Sequence, residues 1–131
     1  MILLAGGTSE AIEIARALDR AKISYIMTVA TDYGYSKAVN SAVGTILKGP
    51  FDRQAFKKLI NDHAVDLVVD ASHVYAGELR RQLSGAAQSA GTRLVRFERP
   101  SSLVESSPAV TFFEDPAAFV HGSFKNHWRV N

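Results

Sequence analysis

The chain has 131 residues and no cysteine. Disulfide frameworks, thiolate metal sites and thiol nucleophiles are therefore excluded. Long apolar runs are missing too: the opening stretch, residues 1–5, breaks at once into Gly6 and Gly7. That is short of the about 20 residues of a membrane helix and of the apolar core of a signal peptide. The expectation is a soluble, cytoplasmic protein with no membrane partner. Lysine and arginine number 15 against 13 acids, a formal net charge of +2. With no long basic run, the chain lacks the electrostatic footprint of a nucleic-acid binder. No two histidines share metal-ligand spacing, so no metal site is expected. There is no G-x-S-x-G elbow, no lysine placed as in a Walker A loop, no internal repeat and no low-complexity segment.

What is present is a regular alternation. Hydrophobic residues make up 47% of the chain, enough for one core. Short β-rich runs occur at residues 2–5, 25–30, 45–47, 67–70 and 93–97. Two of them, "ILLA" and "LVVD", show no polar alternation, as expected of strands buried on both faces. Between the runs lie stripes of helical period. Ala11, Ile14, Ala15 and Leu18 form one. Phe56, Leu59, Ile60 and His63 form a second, with Asp52 as N-cap. Ala76, Leu79, Leu83, Ala86, Ala87 and Ala90 form a third, closed by Gly91. Residues 36–43 read as a short helix or an irregular crossover. Strand and helix in alternation predict an α/β fold in three layers, a parallel sheet with helices on both faces. Residues 1–100 form that domain. From Pro100 onward "SSLVESSP" reads as a linker, and "AVTFFEDPAAFVHG" offers one more strand and a short helix.

In such a sheet the carboxyl ends of the strands share the ligand edge. Gly6-Gly7-Thr8-Ser9-Glu10-Ala11 sits there, between a buried strand and an amphipathic helix. That is the context of a dinucleotide fingerprint, although the strict G-x-G-x-x-G is not met. Gly6 permits the turn, Gly7 lets backbone amides approach a pyrophosphate, and Thr8 and Ser9 offer hydroxyls to phosphate or cap the helix. A plain Gly-Gly turn is the alternative. After the second strand, Thr31, Asp32 in a loop, and Lys37 stand where an adenosine ribose would lie, and hydroxyls with a nearby lysine lean towards a 2′-phosphate. The fourth strand ends in Asp70, Ser72 and His73. His73 could donate a proton or line a nicotinamide pocket, whereas Asp70 reads more readily as a cap. His63, beside Asp62, reads as ordinary surface. Tyr75 could stack on a planar ligand, and Arg96 and Arg99 could meet an anionic one.

"ILLAGGTSEA", "VATDYG", "VDLVVDASHVYA" and "RLVRFERP", in this order and spacing, resemble the precorrin-6A reductases of corrin biosynthesis. The resemblance covers residues 1 to about 100. It implies a Rossmann-like domain binding NADPH through residues 6–10, with Glu10 included, and through the loop at 30–34. It further implies hydride transfer to a polycarboxylate tetrapyrrole, the precorrin substrate, which Arg96 and Arg99 would meet and towards which His73 and Tyr75 would act. Two departures stand out. Members of the family carry His-Pro where this chain has His73-Val74, and they carry a second α/β half, of which residues 101–131 would be the start. A C2 homodimer that rebuilds a cleft is a further expectation. The other readings are a catalytically inactive NADP(H)-binding module and a Rossmann-like domain acting on nucleotide sugars or short-chain substrates.

Overall fold

The computed structural model describes residues 1–97. The expectations placed on Arg99 and on residues 101–131 lie outside the described residues. Five strands and four helices alternate: β1 (Ile2–Ala5), α1 (Ser9–Arg20), β2 (Tyr25–Val29), α2 (Asp32–Ser41), β3 (Thr45–Lys48), α3 (Arg53–Asp62), β4 (Leu67–Asp70), α4 (Gly77–Ala90) and β5 (Arg93–Arg96). All strand pairs are parallel, in the order β3-β2-β1-β4-β5. The order reverses between β1 and β4, which is the switch point where α/β sheets hold ligands.

The unalternating apolar runs have a simple cause. Successive side chains of a strand point to opposite faces, and here both faces are covered. Ile2 and Leu4 of β1, with Met27 and Val69, pack on Ile14, Ala15 and Leu18 of α1 and Ala38 of α2. Leu3 and Ala5, with Ile26 and Val68, pack on Phe56 and Ile60 of α3 and Leu83, Ala86 and Ala87 of α4. Every residue of β1, β2 and β4 is buried. Fully burying one such Leu or Ile is worth about 1.5–3 kcal/mol.

The caps follow the sequence closely. Asp52 accepts the Ala55 amide at 2.8 Å, and Gly91, at φ +69°, ends α4 in the left-handed region. His63 lies exposed at the C-cap of α3. Of the two readings of residues 36–43, the helix is the one found, but it starts earlier and stops sooner: α2 runs from Asp32 to Ser41, and Thr31 caps it by accepting the Gly34 amide at 3.0 Å. Asp32 is therefore a first-turn residue and not part of a loop. No helix among the described residues is long and apolar enough to cross a membrane.

Candidate functional site

The turn from β1 into α1 is held by two glycines with different tasks. The Gly6 amide donates to the Thr28 carbonyl at 2.8 Å, and a Cβ at Gly6 would lie 3.1 Å from both Met27 and that carbonyl. Gly6 is glycine because the backbone runs close against β2. Gly7 is glycine for conformation: its φ is +107°, a region L side chains rarely adopt, and a Cβ there would meet nothing within 4 Å. The side of Gly7 on which a Cβ would stand is thus open, next to the positive end of α1, where an anion is favoured.

Thr8 is the N-cap. Its hydroxyl accepts the Ala11 amide at 3.1 Å and donates to the Ala71 carbonyl at 2.7 Å. One side chain therefore closes the helix and ties the β1–α1 turn to the end of β4 across the switch point. Ser9 is exposed and donates to the Glu10 carboxylate at 3.3 Å.

Below the opposite wall lies a buried ionic cluster. Asp70, fully buried, accepts the Ser72 amide at 3.0 Å, the Ser72 hydroxyl at 2.5 Å and Arg96 Nε at 3.1 Å. Arg80 Nε lies 3.9 Å from the same carboxylate, and Arg80 also donates to the Ser72 carbonyl at 3.0 Å. The register explains this: Asp70 pairs with Arg96, and both alternate onto the α4 face with Val68 and Leu94. The sequence reads Arg96 as a contact for an anionic ligand; in the fold it already has a protein partner. Its guanidinium is turned onto Asp70, because a buried carboxylate needs a cation beside it. The reading of Asp70 as the residue that caps the following loop agrees with its bonds to Ser72.

That cluster fixes the loop leading into α4. There the His73 ring lies exposed, its Nδ1 accepting the Tyr75 amide at 3.2 Å, so that the proton of the neutral ring resides on Nε2. Tyr75, 88% exposed, packs its ring on His73 at 5.1 Å. Thr8, Glu10, Ala71, Ser72, His73, Val74 and Phe97 enclose a crevice of about 200 Å³ at the switch point. Of the expected residues, Thr8, Glu10 and His73 are thus brought together, with Tyr75 against His73.

The ribose-end group is more dispersed. Thr31 is occupied as a cap, and Lys37 is exposed in the middle of α2. Asp32 instead forms an ion pair with Lys48, the last residue of β3. Lys48 lies one residue past the run at 45–47 that the sequence marks as the third strand, and so escapes notice there. One further residue would have placed a lysine on the ligand edge. Among the described residues no group of three or more His, Asp or Glu could hold a metal ion.

A parallel 3-2-1-4-5 sheet with a glycine turn at its switch point defines a Rossmann-like domain of the dinucleotide-binding type. The family model described as "Precorrin-6x reductase CbiJ/CobK" matches residues 1–129, and the chain belongs to that family. The cobalt-precorrin-6A reductase of Salmonella typhimurium is 33% identical over 78% of this chain and 38% of its own length. That of Methanocaldococcus jannaschii is 28% identical over 87% of this chain and 45% of its own. The chain thus spans about two fifths of the length of these curated relatives. Among solved structures, CobK precorrin-6A reductase superposes with a TM-score of 0.65 at 22% identity, over 80% of this chain and 41% of that one. The leucoanthocyanidin reductase–NADPH complex of Vitis vinifera superposes at 0.60 and 20%, over 73% of this chain and 34% of that one.

Proposed function

We propose that this chain is the cofactor-holding part of a precorrin-6A reductase, binding NADPH in the cytoplasm for reduction of a corrin-precursor tetrapyrrole in cobalamin biosynthesis. The observation that carries the reading is Gly7, whose φ of +107° and open Cβ side leave room for a pyrophosphate against the first turn of α1. Family membership supplies the reaction class. The bound cofactor supplies the hydride.

The chain's own residues supply the rest. The amides that follow Gly6 hold the phosphates, and Thr8 keeps that turn fixed against the end of β4. His73 presents Nε2–H at the mouth of the crevice, where it orients the reacting partner as a hydrogen-bond donor and, once Nδ1 has taken a proton from solvent, protonates it; Tyr75 shields its ring. Arg96, through Asp70, holds the floor of the loop that carries His73. Arg99 remains the proposed contact for substrate carboxylates. Pairing of two chains would bring two such crevices into one assembly, which solution mass tests.

Titration of the chain with NADPH and NADH, followed by nicotinamide fluorescence, tests the reading. Micromolar NADPH binding, weaker NADH binding, and loss of both in a folded Gly7→Val variant are expected. Absence of binding by either cofactor would overturn it. Binding without oxidation of NADPH in the presence of a precorrin would instead favour the inactive binding module.

A further inference from the structure

The ion pair between Asp32 and Lys48 lies at the carboxyl edge of the sheet, outside both hydrophobic clusters. We propose that Lys48 selects the phosphorylated cofactor by leaving Asp32 for the 2′-phosphate of the adenosine ribose. This inference rests on the nicotinamide-cofactor reading above and names the residue that would discriminate between its two forms.

Placement comes first. Lys48 pairs in register with Val29, the last residue of β2, and the next amide, Gly49, donates to the Val29 carbonyl at 2.7 Å. The ends of β2 and β3 are therefore held side by side. Ile46 packs on the cluster beneath α1 and α2, so period-two alternation sends Lys48 to that same face. Asp32, in the first turn of α2, meets it there.

The chemistry of this position is specific. In dinucleotide folds the residue that follows the second strand meets the adenosine ribose. A carboxylate there accepts hydrogen bonds from the ribose hydroxyls and repels a 2′-phosphate. Asp32, in the first turn of α2, is the first carboxylate after the end of β2, and Lys48 neutralises it. The pair is also exchangeable: the two side chains are 42% and 89% exposed for Lys48 and Asp32, and pairs in water hold weakly. A phosphate dianion offers the ammonium a stronger charge-assisted partner than one carboxylate does. The N-terminus of α2, capped by Thr31, adds a field of the same sign.

The test compares the full chain with its Lys48→Gln, Asp32→Asn and Lys37→Gln variants, each first checked for an unchanged circular-dichroism melt. NADPH and NADH are titrated by nicotinamide fluorescence, and adenosine 2′,5′-bisphosphate is used as a competitor. Lys48→Gln should lower the NADPH-to-NADH affinity ratio about ten-fold or more, the scale of one charge-assisted hydrogen bond. It should also blunt competition by the bisphosphate. Asp32→Asn should raise the ratio, and Lys37→Gln should change it less than Lys48→Gln does. An unchanged ratio in Lys48→Gln, or equal weakening of both cofactors, would overturn the assignment while leaving cofactor binding intact. Failure of the unmodified chain to bind either cofactor would instead remove the parent reading, and this one with it.

Discussion

At the amino edge of the sheet the Tyr25 hydroxyl donates to Asp19 at 2.9 Å and accepts the Gly44 amide at 3.0 Å, while Asp19 also accepts the Val43 amide at 3.1 Å. At the carboxyl edge Asp70 sits fully buried among Ser72, Arg96 and Arg80. Both clusters fasten a loop to a strand end. The first does so around a phenol, with a carboxylate, Asp19, that is only half-buried. The second buries a carboxylate, which is expensive unless cations accompany it. The expense falls at the edge that must hold a loop in one geometry while leaving its outer side open to a ligand. Charge is placed underneath the crevice, and His73 and Tyr75 stay exposed.

The contrast is broken most severely by Asp70→Asn. The substitution keeps the shape and removes the charge that faces two arginines, of which Arg80 is 14% and Arg96 27% exposed. Breaking a buried pair from one side costs about 3–5 kcal/mol, and the partial exposure of both guanidiniums puts the expectation near the lower end, about 3 kcal/mol. Urea denaturation of both proteins at neutral pH measures it. A loss below about 1 kcal/mol, the worth of an ordinary hydrogen bond, would mean that the two edges are equivalent after all.

Much of this was legible in the chain alone, and the reasons are physical. "ILLA" and "LVVD" announce two-faced burial because no polar residue interrupts them, and Asp52 and Gly91 announce helix ends because few residue types suit those positions. The glycine turn was legible for the same reason. Legibility failed where the decisive partner is distant in sequence. Arg96 looks like a free cation until the register sets it beside Asp70, 26 residues away. Lys48 looks like a strand end until α2 brings Asp32 against it, 16 residues away. The start of α2 was missed because Tyr33, Tyr35 and Val39 are exposed, so the helix shows no clear apolar stripe. Its one buried residue is Ala38.

The amino edge gives a smaller effect with a pH signature. Burial, first, and then the neighbouring Asp19 push the Tyr25 hydroxyl from 10.0 up to about 12, against the opposing pull of the Gly44 amide. A hydroxyl held protonated by the fold stabilises it fully below pH 10, and that contribution is lost as pH rises from 10 towards 12. Tyr25→Phe should cost about 1–2 kcal/mol at neutral pH through the two lost hydrogen bonds. It should also remove the part of the alkaline destabilisation that Tyr25 contributes. The measurement is the difference in stability between the two proteins at pH 8 and at pH 11. A difference that stays constant between those values would refute the phenol as the titrating clamp.

Thr8 yields the smallest effect on stability and sharpens the comparison furthest. Its hydroxyl does at the carboxyl edge what Tyr25 does at the amino edge: it accepts one backbone amide, Ala11, and donates across to a second segment, at Ala71. The two hydroxyls differ in what surrounds them. Tyr25 closes its edge, whereas Thr8 closes a helix and itself lines the crevice together with Glu10. Thr8→Ala should cost about 1 kcal/mol, the usual worth of an N-cap, and Thr8→Ser should recover most of it. Cofactor affinity should fall in Thr8→Ala beyond what the stability loss accounts for, since the turn would no longer be tied to β4. Tyr25→Phe should leave that affinity unchanged. Equal effects of the two substitutions on binding would show that the turn is held by Gly6 and Gly7 alone, and that the bond to Ala71 contributes only to the fold.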